Sequence, residues 1–369
     1  VLFRSRYRWD VNSNANKSGI WGFNSLDSFL QGGPDGSSIT VALPGSDNTK
    51  AWRQTLFGMY AQDDFRVHRR LTLNLGLRYE PGTSPSETDG RNAALRNLVT
   101  DTTNTIGAPV RNFTTKNFSP RVGFAWDATG NGKTAVRGGF GLLYDLGNMG
   151  PSLIIGVTGT KPFASTTSGS GVITVPLTLP AEGASQRLID YNMKQPHLLQ
   201  YNVSVQRQLP WNMLLTAAYA GSRGIELNRT IEGNPVLPTI QSDGRAFWPS
   251  AAAQGLRRNP AFNNIELKTS GGNSWYNAFQ VELLKRLSSG LQFQASYTRS
   301  KTISTPMSQL GTDGGTGVNV FDTNPLYWRN DRSLADFDAP NVFRFNTIYN
   351  LPRSSMKGIA GGDRKSTRL

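Results

Sequence analysis

The stretch LTLNLGLRY, Leu71–Tyr79, decides the fold. Its odd positions carry leucine or tyrosine, and its even positions carry polar residues or glycine. Because successive side chains of a β-strand point to opposite faces, this alternation predicts a strand with one apolar and one polar face. In a soluble sandwich the apolar face would meet a second sheet, whereas in an outer-membrane barrel it would meet lipid.

The composition excludes several classes of protein. The hydrophobic content of the 369-residue chain is 37%, and no run approaches the ~18 apolar residues of a membrane helix. A membrane barrel stays compatible, because its strands are only half apolar. Cysteine is absent, which excludes disulfides, thiolate metal sites and a cysteine nucleophile. The net charge of +14 raises nucleic acid as a partner, but the basic residues are scattered and form no nucleic-acid-binding motif, so we expect none.

The alternating pattern recurs along the chain, with a short helical turn at Ser25–Leu30 ended by Gly32. The alternating pattern predicts about ten strands. Besides Leu71–Tyr79 they are 4–10, 52–67, 117–127, 134–145, 197–208, 213–221, 275–287, 291–300 and 341–351.

The connections between these strands are of two kinds. Tight turns such as Thr129–Gly132, whose glycine and asparagine suit positive φ, join the strands in pairs. Long polar segments, far beyond ordinary connections, separate the pairs: 80–116, 146–196, 222–274 and 301–339. Sandwiches and propellers distribute their connections more evenly. The asymmetry is typical of an all-β, antiparallel transmembrane barrel with short periplasmic turns and long extracellular loops.

Aromatic residues support the membrane interpretation. Each strand that leaves a tight turn has a tyrosine near its far end (Tyr79, Tyr144, Tyr219 and Tyr297), and tryptophans stand at the loop end (Trp52, Trp275) and at the turn end (Trp126, Trp211). Tyrosine and tryptophan prefer the membrane interface, so these residues predict two aromatic girdles. Packing between cross-strand neighbours is the alternative explanation.

Charged residues largely respect the two faces. The polar register holds Arg78, Arg121, Arg137 and Arg344. Arg207 and Lys285 share the apolar register but lie near tight turns, where long side chains can reach the interface. Asp63 is the exception, because it falls in the apolar register well inside a strand, unless a bulge turns it inward.

Several segments resemble the barrel of TonB-dependent outer-membrane receptors, and most closely the Oar-like group, which carries a carboxypeptidase-regulatory-like domain ahead of plug and barrel. The resemblance runs from about residue 6 to residue 352, and the segments that carry it are 60–67 with 71–80, 118–127, 137–145, 217–224 and 292–301.

The resemblance implies a 22-stranded barrel in the complete protein, filled by an N-terminal plug whose preceding segment engages TonB. We therefore interpret residues 1–352 as a partial outer-membrane barrel domain and residues 353–369 as a turn followed by a terminal artefact. A plug, a TonB-contacting segment and the N-terminal domain are not found in this chain, and we expect them upstream in a longer protein. No functional residue of the family maps onto this sequence.

Enzymatic chemistry is not expected. His68 and His197 are the only histidines, so a serine–histidine–aspartate triad or a multi-histidine metal site is disfavoured. The adjacent carboxylates Asp63 and Asp64 point to opposite faces of a strand and make a poor acid–base pair. The glycines of 138–141 lie inside a strand and form no phosphate loop.

The long loops offer only weak candidates for a binding site. Asp331, Asp336 and Asp338 could bind calcium, but a solvated loop is the ordinary interpretation, and we expect no metal and no cofactor. Loop aromatics could stack on a sugar or simply pack the loop: Phe163, Phe247, Trp248 and Trp328. The ligand stays open between iron chelates, glycans and peptides.

Two functions remain. One is the barrel portion of a TonB-dependent transporter that takes up a scarce extracellular ligand with energy supplied through the TonB complex. The other is a passive porin or a structural or adhesive surface barrel. Both place the chain in the bacterial outer membrane, with Leu71, Leu73, Leu75 and Leu77 facing lipid, Tyr79 at the outer interface, and Thr72, Asn74 and Arg78 facing the lumen.

Overall fold

The computed structural model describes residues 2–12, 18–32, 38–47, 49–112, 114–146, 160–170, 185–247, 257–305 and 332–350. The predicted terminal segment 353–369 lies outside these residues. Among the residues described, no helix has the length and hydrophobicity needed to span a bilayer.

Strands dominate the described chain. One short helix, α1 (Leu26–Leu30), begins at its N-cap Ser25, whose hydroxyl accepts the N–H of Ser28, and a 3-10 turn covers Thr114–Lys116. The strands are β1 (Leu2–Asn12), β2 (Ile20–Gly22), β3 (Ser38–Ala42), β4 (Thr49–His68), β5 (Leu71–Tyr79), β6 (Ser86–Glu87), β7 (Ala93–Ala94), β8 (Thr105–Ile106), β9 (Phe118–Asp127), β10 (Thr134–Tyr144), β11 (Thr166–Ser170), β12 (Gln186–Ile189), β13 (His197–Leu209), β14 (Met213–Glu232), β15 (Thr239–Ile240), β16 (Ala246–Phe247), β17 (Ile265–Ser288), β18 (Leu291–Ser304), β19 (Ser333–Leu334) and β20 (Asn341–Tyr349).

One large antiparallel sheet contains all ten long strands of the described chain, in the order β1-β4-β5-β9-β10-β13-β14-β17-β18-β20. The short strands β6, β12 and β19 add to it at the end where the long connections lie. The sheet is open, with β1 and β20 at its edges. The prediction of about ten antiparallel strands of a larger barrel is confirmed.

The register puts the predicted apolar and polar residues on two separate faces. We call apolar face the one that carries Leu71, Leu73, Leu75, Leu77 and Tyr79, and polar face the one that carries Thr72, Asn74 and Arg78. Leu73 lies opposite Phe65 and Phe124, and Asn74 lies opposite Asp64 and Gly123. Directly opposite residues of antiparallel strands share a face, so both faces continue across neighbouring strands.

Asp63 stays on the apolar face, directly opposite Leu75. The bulge of this strand pair comes later, between Arg66 and His68, so it does not turn Asp63 toward the polar face. The suggestion that a bulge removes this exception is therefore wrong.

Two turns use left-handed backbone conformations. Trp211 and Asn212 have φ values of 59° and 57°, and Ser289 and Gly290 have 50° and 80°. Two consecutive residues at positive φ match the twist of the hairpins β13–β14 and β17–β18. Both turns lie between strands that the sequence predicts, 197–208 with 213–221 and 275–287 with 291–300, although a tryptophan in this conformation is unusual.

Two strands extend about ten residues beyond their predicted bounds. β14 continues to Glu232 and β17 begins at Ile265, and they remain paired through irregularities near Gly224 and Leu227. Glu226, with φ of 54°, breaks the alternation there, which is why the pattern ended too early. The predicted loop 222–274 therefore consists largely of extensions of β14 and β17, and only residues 233–264 connect the two strands.

Candidate functional site

A cavity of about 550 Å³ lies on the polar face, where β14, β17 and β18 meet the segment that leads into β20. Its lining is dominated by hydroxyl groups, and consists of Ser222, Ser274, Tyr276, Gln280, Ser296, Thr298, Ser300, Thr302, Phe337, Ala339, Val342 and Arg344. The volume lies within the ~300–1,000 Å³ that ligand sites usually occupy. We call this feature the hydroxyl cavity.

The alternation of β17 and β18 creates this wall. Tyr276 lies opposite Thr302, Gln280 opposite Thr298, and successive even positions of β18 all point to the polar face. The far wall is held to the backbone of Thr302: the Ala335 N–H donates to the Thr302 carbonyl at 3.1 Å, and the Asp338 carboxylate accepts the Thr302 N–H at 2.7 Å.

The chemistry of the hydroxyl cavity suits a ligand rich in polar groups. Each hydroxyl can donate one hydrogen bond and accept others, so the wall can adapt to hydroxyls, carbonyls or amides. Arg344, opposite Ser296, adds one positive charge, and Phe337, which is 71% exposed, offers an apolar surface. No group of three or more potential metal ligands occurs among the described residues.

A second hollow on the polar face owes its shape to missing side chains. Gly123 lies opposite Gly139, and the space of about 350 Å³ is bounded by polar residues that include Gln62, Arg121 and Gln200. On the apolar face the strand glycines are covered instead. A Cβ on Gly138 would come within 2.5 Å of the Phe124 ring, so this glycine allows the ring to lie flat on the backbone.

The long connections form a packed unit at their end of the sheet. Its hydrophobic core joins residues from three separate connections and β17: Leu95, Leu188, Phe262, Ile265 and Leu267. β12 pairs in parallel with β17 over 265–268. The Asn259 amide donates to the carbonyls of Leu98 and Asp101 at 3.1 and 2.8 Å, which ties two connections together.

Buried charges stabilise the same unit. Burial opposes ionisation of Glu87, but hydrogen bonds from the N–H groups of Ala51, Arg91 and Asp89 and the charge of Arg91 outweigh it, so the pKa of Glu87 is lowered. The pKa of Glu266 is lowered in the same way: its burial is outweighed by Lys268 at 2.6 Å and Arg187 at 2.9 Å.

The histidines and carboxylates considered for chemistry are dispersed. His68 Nδ1 accepts the Arg70 N–H, and His197 lies beside the Gln195 carbonyl. Asp63 and Asp64 lie on opposite faces, as predicted, with Asp64 accepting from Asn74 at 2.6 Å. Of the calcium candidates, Asp331 lies outside the described residues, Asp336 is exposed, and Asp338 is hydrogen-bonded to Thr302.

The loop aromatics do not converge on a site. Phe163 lies 5.0 Å from the Lys50 ammonium, Phe247 is 54% exposed on β16, and Trp248 and Trp328 lie outside the described residues. The hydroxyl cavity was missed. The sequence signal for it is the run of serine and threonine at the even positions of β18, which by itself marks only a polar face.

The aromatic residues at the strand ends behave in two ways. The hydroxyls of Tyr219 and Tyr297 donate toward the loop end, to Asn277 at 2.6 Å and to Asn341 at 2.7 Å. Trp126 and Trp211 are exposed near the tight turns. Cross-strand packing also occurs, since Tyr79 stacks on Phe118 with 4.3 Å between ring centroids.

Trp52 was assigned wrongly to the outer girdle. It is fully buried and lies on β4 where β6 pairs with that strand, opposite Glu87. The outer half of β4 belongs to the packed unit of the long connections, which encloses the indole. Trp275 is contacted by two arginines, Arg223 and Arg332.

Solved structures similar to this chain are outer-membrane proteins. They include the alcaligin outer membrane receptor FauA of Bordetella pertussis (12% identity, 86% of this chain and 42% of that chain, TM-score 0.37) and the outer membrane transporter YddB of Escherichia coli (12%, 82% and 33%, 0.40). The pyoverdine outer membrane receptor FpvA of Pseudomonas aeruginosa PAO1 also matches (14%, 75% and 33%, 0.37). The chain thus spans less than half the length of these proteins.

No curated protein matches the sequence significantly. Because the solved structures are only weakly similar to this chain, they do not carry the family assignment. The assignment rests on a match between the sequence and a family model. The family model described as "Outer membrane beta barrel domain" matches residues 3–364, which is nearly the whole chain. The antiparallel sheet, with its apolar and polar faces, is the architecture that such a family requires. The chain therefore belongs to the family of outer-membrane β-barrel domains, and its location is the bacterial outer membrane.

Proposed function

We propose that this chain is the barrel portion of a TonB-dependent outer-membrane transporter, which takes up a scarce extracellular ligand at the expense of energy supplied through TonB. The order and spacing of the segments that resemble TonB-dependent receptors support this proposal, as does membership of the outer-membrane barrel family. The observation that carries it is the hydroxyl cavity, because it gives the polar face a ligand-sized recess near the long connections. We propose no catalytic role and no nucleic-acid partner.

The proposal assigns the apolar face to lipid and the polar face to the lumen. Exposed apolar side chains on that face, such as Leu75 (43%), Val122 (48%) and Phe140 (42%), support this assignment. So does Lys285, whose ammonium reaches the Trp211 carbonyl at 3.0 Å and Ser288 at 2.8 Å at the tight-turn end. TonB would be engaged by the plug region of the complete protein.

The hydroxyl cavity is proposed as part of the ligand path. An uncharged or singly negative ligand with several hydroxyl or carbonyl groups would match its serines and threonines and the charge of Arg344. Among the ligand classes left open by the sequence, glycans and hydroxyl-rich iron chelates fit this lining better than apolar peptides.

Uptake of labelled ligands by cells that express the full-length protein tests the proposal. Panels of ferric chelates, oligosaccharides and peptides are offered with and without TonB, and with and without a protonophore. Uptake that requires TonB and the proton gradient supports the transporter. Uptake that persists without either, or a steady ion conductance in planar bilayers, would instead establish a passive pore.

A matched pair of variants tests the cavity. Thr298→Leu removes one wall hydroxyl, and Ser204→Leu makes a similar change on the polar face of β13, opposite Arg137 and away from the cavity. We expect the half-saturation concentration for uptake to rise about five-fold or more in Thr298→Leu, in line with one lost hydrogen bond of ~1 kcal/mol. Equal effects in both variants would remove the cavity from the ligand path.

A further inference from the structure

Basic side chains gather on the apolar face at its loop end. Arg223 lies opposite Trp275, Lys301 opposite Asn277, and Arg299 opposite Phe279. On their own strands Arg223 follows Tyr219, and Arg299 and Lys301 follow Tyr297. We call Arg223, Arg299, Lys301 and Arg332, together with Trp275, the outer basic cluster.

Two of these arginines share one indole ring. The guanidinium carbons of Arg223 and Arg332 lie 3.8 and 4.2 Å from the centroid of Trp275. Stacking stabilises each cation, and Arg223 is held further by the Asn273 side chain at 2.9 Å. The arrangement nevertheless keeps two like charges close together, which is unfavourable unless an anion offsets it.

The described residues supply no such anion. Within them, none of the four basic side chains has a carboxylate within ion-pair distance. Elsewhere the same part of the chain pairs its arginines readily, as in Arg78–Glu80 at 2.6 Å. Among the residues that the structure describes, the outer basic cluster is thus a concentration of positive charge without a carboxylate partner.

The cluster begins where the apolar surface ends. The Tyr297 hydroxyl and the Arg299 guanidinium both donate to Asn341, at 2.7 and 2.9 Å, so polar contacts replace apolar ones at this level. Ile303, which lies opposite both Trp275 and Leu334, follows Leu291 by roughly twelve residues. At ~3.4 Å per residue and a tilt of ~40°, the level of Ile303 and Trp275 stands about 31 Å above the tight turn, just beyond an apolar band of ~25 Å. By the same conversion Lys301 stands at about 26 Å, at the edge of that band, and Arg299 at about 21 Å, in its upper part.

We propose that the outer basic cluster binds the phosphate-bearing head group of a lipid in the outer leaflet of the membrane. Planar guanidinium groups suit phosphate oxygens, and Lys301 adds a third nearby charge. A lipid is favoured over a soluble anion because the cluster continues directly from the apolar face through Phe279 and Phe343, which are exposed by 51% and 68%. The inference rests on the proposed lipid contact of that face.

The test uses the full-length protein in vesicles. Binding of fluorescent bis-phosphorylated lipid A in phosphatidylcholine vesicles is compared with that of the same lipid after removal of its phosphates. The variant carries Arg223→Gln, Lys301→Gln and Arg332→Gln. The control carries Arg66→Gln, Arg121→Gln and Arg137→Gln, which remove the same charge from the polar face. The heat-dependent gel shift of a folded barrel verifies that both variants assemble.

We expect the wild-type protein to prefer the phosphorylated lipid. A charge near the membrane surface contributes roughly five-fold to binding an anionic lipid, so the triple variant should bind about 100-fold more weakly, and the control about as well as wild type. Equal binding by variant and control, or of both lipids, would overturn the proposal. Equally effective competition by inorganic pyrophosphate would also overturn it, since that outcome identifies a soluble-anion site. A failure of the underlying assumption, that the apolar face contacts lipid, is detected by a different variant. In that case the barrel would assemble normally with Val203→Arg.

Discussion

Val203→Arg should strongly destabilise the assembled barrel, whereas Asn202→Arg should be nearly neutral. Val203 lies on the apolar face between Gly138 and Tyr219 and is 42% exposed. It stands roughly six residues from Leu209 at the tight turn, which corresponds to about 16 Å of height at a tilt of ~40°, near the middle of an apolar band of ~25 Å. Asn202 is the next residue and points to the polar face, opposite Gly139.

The cost follows from that depth. An arginine at the bilayer midplane costs ~2–4 kcal/mol, which lowers the folding equilibrium constant by about 30- to 700-fold. Gly138 beside Val203 is already covered by the Phe124 ring, so the backbone leaves little room for the new side chain to turn inward. The control at position 202 faces a hollow bounded by polar groups.

Urea titration of the full-length protein in lipid vesicles measures the difference. Tryptophan fluorescence reports unfolding, and the heat-dependent gel shift reports assembly. A loss of unfolding free energy of ~2 kcal/mol or more in Val203→Arg, with less than ~0.5 kcal/mol in Asn202→Arg, is the expected outcome. Equal losses would refute the assignment of this face to lipid.

Three further outcomes are expected. Because the pKa of Glu87 is lowered in the folded protein, its contribution to stability is present above its ordinary pKa of ~4.3 and is lost as the pH falls through the folded value. The protection of the Ala51 and Arg91 N–H groups against hydrogen exchange, relative to the intrinsic exchange rate at each pH, should therefore fall in acid, and Glu87→Gln should abolish that change. Trypsin added to intact cells should cut after Arg245, an exposed residue of the 233–264 connection, and spare Lys133 in the tight turn; the reverse pattern would invert the topology. Asn259→Ala leaves the Leu98 and Asp101 carbonyls without their amide donor. The unfolding free energy should fall by ~1–3 kcal/mol, and protease cleavage within 80–117 should increase. Asn97→Ala, whose side-chain contacts stay within its own turn, should have neither effect.

The membrane-facing strands could be predicted because their alternation is local. In β5 the sequence pattern and the observed strand coincide at Leu71–Tyr79, since each residue's face depends only on its parity. The same reasoning stopped at Gly221 in β14, because Gly224 and Glu226 interrupt the alternation although the strand continues.

The outer end of the molecule could not be predicted, because its contacts join residues distant in sequence. The place of Trp52 at a strand end predicts an interfacial residue, but its burial depends on the connection that carries Glu87. The outer basic cluster shows the same limit. Arg299 and Lys301 follow Tyr297 directly, but only the pairing of three strands brings Arg223 to the same patch.

The shared core of Leu95, Leu188, Phe262, Ile265 and Leu267 has a consequence for how this barrel can diversify. Its connections are not interchangeable modules, because each contributes a part of one interior. A graft that replaces a single connection removes packing from the others and should fail unless the core positions travel with it. Substitutions at Leu95 and Phe262 should therefore be non-additive, so that the outer surface built by the long connections changes as one cooperative body and not loop by loop.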